Sequence, residues 1–417
     1  MEIKKHKQLD EVRTPLKYKR LIIGLIFLTI IAFLLLFRSQ PPSLDRILNQ
    51  SDSEIDIAKA SLVVAKEIFP DINIGNYLSQ LNRMADEIRL LMLKDGGDVN
   101  DPEYRIRAIN TYLFYIQKIS YDLSDFFGRR PENCFLNGIL DTRKGACFTM
   151  PLLYLCLAQR LKIPIYGVNV PQHFILRYDD GKYRSNIEVT CTGAMAPDDV
   201  YIEDFQILTG ELKSGVFLRN LSNKQVISNM IEARGNYYTR IKDYDKAIRD
   251  LEKAVELNPT NVEVFRSLSK MYRYQKRDEQ ARKRCLIKCK ELGYNFDRKT
   301  NEEDLIYINH IIKTAKLQGI DTAELETLRD KESARQRELV KQEELARQNG
   351  MELFDPEKER LAIIKANEIT RENDPGRKMY EEWYKKYQEQ QKAMKENPMP
   401  PQPHPQDTIC PKCGKRH

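Results

Sequence analysis

LNGILDTRKGAC (136–147) runs directly into FTMPLLYLCLAQRL (148–161), a nearly continuous apolar stretch. Its Pro151 fits a helix only within the first turn, which places the helix start close to Cys147. IPIYGVNV (163–170) and HFILRY (173–178) follow, rich in branched and aromatic residues, and DDGK (179–182) is a polar turn before YRSNIEV (183–189). The order predicts one buried helix and then strands, at least two of them paired as a hairpin.

Chemistry concentrates on three residues of this stretch. Cys147 follows Lys144-Gly145-Ala146 at a helix mouth, where unpaired amides and the helix dipole favour a thiolate, so a lowered thiol pKa is expected. Gly145 lets the chain turn tightly and a substrate approach the backbone. His173 opens a strand after Val170-Pro171-Gln172. A four-residue loop at Asp179 to Lys182 would pair Tyr178 with Tyr183 and set His173 opposite Glu188, with Cβ atoms about 4.5–5.5 Å apart. Nucleophile, base and orienting acid then stand together. A buried structural thiol, a core histidine and a surface glutamate are the plainer alternatives.

Toward the N-terminus, Ile57, Ala60, Val64 and Ile68 recur at helical spacing after Ser51. Tyr77, Leu81, Met84, Ile88 and Leu91 continue it in a second helix beyond Pro70 and Gly75, and a third amphipathic stretch covers about 103–119. Toward the C-terminus, Ile231, Gly235, Tyr238, Ala247, Leu251, Ala254 and Pro259 occupy positions 4, 8, 11, 20, 24, 27 and 32 of a 34-residue frame starting at Ser228. That is the tetratricopeptide pattern. A second copy from Val262 keeps Phe265, Leu268, Tyr272 and Ala281 and then degrades, and the helix around 302–317 is expected to cap the array.

These residues resemble the transglutaminase-like fold, a relative of papain-type cysteine proteases. More narrowly, DIAKASLVVAKEIFPDINIGNYL (56–78), LDTRKGACFTMPLLYL (140–155), IYGVNVPQHFILRY (165–178) and NIEVTCTG (186–193) resemble a bacterial transglutaminase-like family often fused to tetratricopeptide repeats. The resemblance covers about positions 45 to 295. It implies Cys147 as nucleophile, His173 as base and Glu188 as orienting acid, in a thiol-dependent amide hydrolase or acyl transferase. Glu188 stands where Asp is usual and Phe148 where Trp is common, and members of the narrower family without the Cys exist. The fold alone therefore does not imply catalysis. The rival reading is a non-catalytic scaffold whose repeats bind a protein or peptide partner on their concave face.

The chain has 417 residues and a net charge of +7, of which +4 falls in the first twenty residues (seven Lys/Arg against three Asp/Glu). So little charge on the remainder speaks against a nucleic-acid surface. LIIGLIFLTIIAFLLLF (21–37) is an uncharged run that spans about 26 Å as a helix. With the basic cluster before it and no cleavage signal after it, it reads as a single-pass membrane anchor, with the N-terminus cytoplasmic and the body extracytoplasmic.

The expected architecture is thus a basic N-terminus (1–20), one transmembrane helix (21–37), an α+β transglutaminase-like domain (45–222), an α-helical tetratricopeptide array with its cap (228–320), a charged helical region (321–395) and a Pro-rich tail (396–417). Eight cysteines are too few for a disulfide scaffold. Cys156 reads as core. Cys285 and Cys289, four apart on a repeat helix, read as core or surface thiols. The tail CPKCGKRH (410–417) offers Cys410, Cys413 and His417 as ligands of a zinc site that is one short of closed. No other cofactor is expected.

Overall fold

The computed structural model describes residues 43–273, 278–294 and 300–348. The apolar run 21–37 and the tail residues Cys410, Cys413 and His417 lie outside them. No described helix is long and apolar enough to cross a membrane, and among the described residues no His/Cys/Asp/Glu cluster suits a metal.

Two compact units divide at Ile55 and Asp56. The described part of the first holds a short helix, Leu44–Leu48, with Ser43 accepting from the Arg46 amide, and a turn over Asp52–Glu54 closed by a capping box between Ser51 and Glu54. The helical pattern expected from Ser51 therefore begins only at Ile57.

The second unit opens with α1 (Ile57–Ala65), α2 (Ile74–Asp95) and α3 (Pro102–Asn110), each started by a side-chain cap, from Asp56, Asn73 and Asp101 respectively. Their apolar stripes are buried, Leu81, Met84 and Ile88 of α2 among them. Next, β1 (Ser120–Tyr121) pairs in parallel with β2 (Lys144–Gly145), with α4 (Leu136–Thr142) between them. The buried helix follows as α5 (Thr149–Leu161), with Pro151 as its third residue. Every residue from Thr149 to Ala158 is buried, so α5 is the central helix of this half.

An antiparallel sheet comes next, in the order β3 (Ile165–Val170), β4 (His173–Asp179), β5 (Arg184–Glu188) and β6 (Ala194–Ala196). The hairpin register differs from expectation. Tyr178 pairs with Ser185 and Leu176 with Ile187, a shift of two residues from the Tyr178–Tyr183 pairing. The loop falls on Asp180–Tyr183, because Asp180 accepts from the amides of Lys182 and Tyr183 and Gly181 takes the positive φ of the turn. A shift of two preserves the face, so Glu188 stays on the side of His173 as a diagonal neighbour.

After β6 come α6 (Asp198–Asp204) and the repeat helices α7 (Asn223–Arg240), α8 (Tyr244–Leu257), α9 (Val262–Met271) and α10 (Glu279–Glu291). The frame residues Ile231, Tyr238, Ala247, Leu251, Ala254, Leu268 and Ala281 are buried between them. The array is fastened to the preceding half. Arg234 of α7 pairs with Asp250 of α8 and donates to the Val64 carbonyl of α1, while Asn229 and Glu263 hold Asn169 and Gln172 of the β3–β4 hairpin. The repeat helices thus contact the chain's own β3–β4 hairpin.

The helix expected to pack on the array as a partner or cap is α11 (Thr300–Leu317), and it also reaches beyond the array. Its Tyr307, Ile308, Ile311 and Ile312 share one core with Val168 and Ile175 of the sheet and with Tyr201 and Phe205 after it, as well as with Cys289 and Leu292 of α10. The helix therefore returns from the repeats to the sheet and covers the strand ends that carry His173 and Glu188. A last helix, α12 (Ala323–Gln348), follows it.

Candidate functional site

The site forms where β4 begins and β5 ends. His173 is the first residue of β4, delivered by the two-residue turn Pro171-Gln172, whose Gln172 adopts a positive φ. Glu188 is the last residue of β5 and also caps the turn Val189–Cys191 by accepting from the Thr190 amide. Both side chains are fully buried, and His173 Nε2 lies 2.8 Å from Glu188 Oε2. The expected pairing of imidazole and carboxylate is therefore present, in a different register.

The remaining imidazole nitrogen, His173 Nδ1, is buried and has no hydrogen-bond partner. A carboxylate can only accept, so the 2.8 Å contact fixes a proton on Nε2. In the neutral ring Nδ1 then carries a lone pair, the state a general base requires.

Cys147 lies two residues before α5. Gly145 is required there: a Cβ would lie 2.6 Å from Ile139 Cδ1 and 2.8 Å from Met150 Cγ. The Thr149 hydroxyl accepts from the Ala146 amide and fixes the bend. The residue is partly exposed and lines a small pocket of about 180 Å³ together with Phe127, Arg129, Gln172, Asp304 and Tyr307. Here the electrostatics depart from the expected lowered pKa. Burial of the sulfur, then the negative charge of Glu188, push the thiol up to about 12, and the Tyr307 hydroxyl offsets part of that rise. At this helix mouth desolvation outweighs the dipole, so the resting sulfur is a thiol.

Tyr307 stands between Cys147 and His173. Its ring centroid is 4.7 Å from that of His173, its hydroxyl acts on the Cys147 sulfur, and the same hydroxyl is 3.1 Å from that of Tyr121. His310, one turn further along α11, puts Nε2 3.3 Å from Glu188 Oε2 and Nδ1 2.8 Å from Asp204 Oδ2. Neither Tyr307 nor His310 was singled out by sequence. The only available signal was that His310 is one of five histidines in the chain and sits in a helical apolar pattern.

Burial alone would raise the Glu188 carboxyl, but attraction and hydrogen bonds from His173 and His310 hold it well below the usual carboxylate range. Burial likewise opposes charge on His310, yet Asp204 and Glu188 raise its pKa above the ordinary imidazole value. The other described thiols do not join this cluster. Cys134, Cys156, Cys191, Cys285 and Cys289 are buried and unpaired by disulfides, and burial pushes each of them up. Asn137 is buried with its Oδ1 unpartnered, and Gln172 donates to Glu263.

Comparison with known proteins agrees with this architecture. Residues 75–232 match the transglutaminase-like superfamily and residues 233–261 match a tetratricopeptide repeat. The chain thus carries a transglutaminase-like domain followed by a helical region with a tetratricopeptide repeat. A UPF0162 protein of Xylella fastidiosa (strain Temecula1) is 24% identical over 258 residues, 55% of this chain and 82% of that protein. UPF0162 protein PA3419 of Pseudomonas aeruginosa is 21% identical over 221 residues, 52% of this chain and 77% of that protein. F-box only protein 21 of Mus musculus is 32% identical over 95 residues, 22% of this chain and 14% of that protein. No solved structure matches.

Proposed function

We propose that the transglutaminase-like domain is a thiol-dependent acyl transferase or amide hydrolase acting through Cys147, His173 and Glu188. The observation that carries this reading is the buried His173–Glu188 pair with a lone pair left open on Nδ1, beside a pocket lined by Cys147, which alone among the described cysteines is not fully buried as a residue. His173 activates the thiol only as it reacts. Hydrogen bonds of catalytic groups are often completed only in the substrate complex, so the absence of a Cys147 bond to Nδ1 in the free protein is compatible with the role.

The Cys147 sulfur attacks a carbonyl carbon, its proton passes to His173 Nδ1, and the S–C bond forms. His173 gives that proton to the leaving nitrogen as the C–N bond breaks, leaving a thioester. Water or an amine then attacks the thioester carbon and gives its proton to His173, the C–S bond breaks to release the acid or the new amide, and His173 returns the proton to the Cys147 sulfur. Glu188 keeps the ring oriented throughout and stabilises the imidazolium that forms.

Iodoacetamide labelling of Cys147 against pH tests this reading. In the enzyme, labelling near neutral pH slows in His173→Ala. Equal labelling in both proteins, rising only at strongly alkaline pH, supports the scaffold instead. One feature favours that second reading: the resting thiol is held well above the range of a free cysteine. In the scaffold the repeats serve protein-protein interaction.

The anchored arrangement rests on the sequence of residues 21–37 and the basic residues before them. We place the body outside the cytoplasm on that basis. A topology reporter fused after Arg46 that gives a cytoplasmic signal overturns the assignment.

A further inference from the structure

Two imidazoles share one carboxylate oxygen: Glu188 Oε2 lies 2.8 Å from His173 Nε2 and 3.3 Å from His310 Nε2. The other oxygen, Oε1, takes the Thr190 amide and hydroxyl. Every acceptor direction of this fully buried group is therefore committed, which fixes the carboxylate rigidly.

The two rings differ in their second nitrogen. His173 Nδ1 has no partner, whereas His310 Nδ1 faces Asp204 Oδ2 at 2.8 Å. Carboxylates accept and do not donate, so a ring placed between two of them needs a proton on each nitrogen. His310 satisfies both contacts only as the imidazolium. His173, with a single carboxylate, satisfies its contact as the neutral ring.

We propose that His310, gripped by Asp204, is a positioning residue for the Cys147–His173 pair: it serves as a fixed cation that holds Glu188 in place and keeps His173 neutral and available as a base. The proposal rests on the functional reading above. Its logic is electrostatic. A buried Glu188 facing His173 alone would draw a proton onto that ring and spend its lone pair. A second cation on the same oxygen shares the carboxylate's charge and lowers the proton affinity of His173.

The surrounding groups agree in sign. Facing His310 are Glu188 from β5, Asp204 from α6 and the His173 ring from β4, at a centroid distance of 6.2 Å. The Tyr201 ring stands 5.2 Å away and the Phe205 ring 4.9 Å. On its own helix, Lys313 pairs with the second oxygen of Asp204. Two carboxylates, one imidazolium and one ammonium thus close a cluster of no net charge. This is the arrangement expected of a buried ionic group that must persist. The cation comes from a helix beyond the repeats, so the α/β half alone lacks it.

The test uses the full-length chain labelled with nitrogen-15 at histidine. Its five histidines are assigned by substitution. At pH 7 the His310 ring should carry protons on both nitrogens, and the His173 ring a single proton on Nε2. Asp204→Asn, which preserves size, should return His310 to the neutral form. Asp204→Asn and His310→Gln should each add a proton to His173 Nδ1 at pH 7, since the carboxylate's charge is then no longer shared with a cation. Cys147 labelling at pH 7 should slow with it.

A neutral His310 in the unaltered protein at pH 7 overturns the proposal. So does a His173 ring that still carries a single proton, on Nε2, at pH 7 in both folded variants. If His310→Gln does not fold, the unaltered protein and Asp204→Asn decide between these outcomes. The functional reading fails separately: labelling indifferent to His173→Ala removes the enzyme, whatever the ring protonation states are.

Discussion

Two buried pairs, each closed on a carboxylate, sit in different parts of this molecule and are built differently. In the repeats, Arg234 meets Asp250 in a two-point contact of 2.6 and 3.0 Å, with further bonds from Arg234 to the Val64 carbonyl and Glu67. In the α/β half, His173 meets Glu188 through one nitrogen and leaves the other empty. An unpaired buried polar atom costs stability, and a fold that needed only a brace there would have filled it. The first pair is saturated, and the second leaves one imidazole nitrogen without a partner, as the proposed role of His173 requires.

That contrast breaks if the two pairs respond alike to substitution. Asp250→Ala should cost up to about 3–5 kcal/mol, because it removes the buried partner of the guanidinium and leaves it only the half-exposed Glu67 and the Val64 carbonyl. Chemical denaturation reads the loss, and Cys147 labelling of the folded fraction should not change. A loss below about 1 kcal/mol would mean that the pair is solvated in the working protein.

His173→Gln sets the opposite pattern. Glu188 retains His310 and Thr190, so the melting temperature should move little. Thiol chemistry at Cys147 should fall by about 10²–10⁴-fold, the usual contribution of a positioned base. Comparable losses in stability and chemistry would make His173 another brace.

The same contrast explains how much of the molecule was readable. The α5 helix and the strands after it were legible because an apolar run with Pro151 in its first turn, and then branched residues broken at Pro171-Gln172, admit few other structures. The repeat frame at Ser228 was legible because packing requires small residues such as Gly235 and Ala247 at fixed spacing. The hairpin register missed by two because Asp179 stays in the ladder opposite Arg184 while accepting the Gly181 amide, and Asp180 gathers the amides of Lys182 and Tyr183, so the loop falls on Asp180–Tyr183; parity kept Glu188 facing His173. What stayed hidden was long-range. The sequence of α11 is that of any amphipathic helix, and nothing local says that it packs on the sheet instead of only closing the repeats. Tyr307 and His310 were invisible for that reason. The error in the Cys147 pKa has the same root, since the burial that raises it comes from elements distant in sequence.

The two regions should also part in their response to pH. Glu188 and Asp204 are held below their ordinary values, so their contribution is present above about pH 4.5 and is lost as pH falls through the lowered values. His310 is raised, so its contribution is complete below about pH 6.5 and is lost as pH rises through the raised value. A guanidinium, the cation of the α7–α8 pair, is a side chain that does not titrate in that window. Hydrogen exchange between pH 6.5 and 9, corrected for intrinsic rates, should therefore show α11 opening more readily while α7 does not. Equal behaviour of the two helices would remove His310 as the cause.

The smallest effect expected is that of Tyr307→Phe, and it separates two roles for this ring. Its hydroxyl favours the thiolate of Cys147, so its removal makes the thiol less acidic. One hydrogen bond is worth about 0.5–1.5 kcal/mol, so iodoacetamide labelling at fixed pH should slow by about two- to tenfold. Tyr121 also loses its 3.1 Å contact, but it still donates to the Phe126 carbonyl, so the fold should tolerate the change. Were Tyr307 a plug over the sulfur, removing the hydroxyl would open the pocket and labelling would quicken. The sign of the change therefore says whether α11 supports the thiol or shuts it away, and His173→Gln in the same background shows whether that action passes through the imidazole.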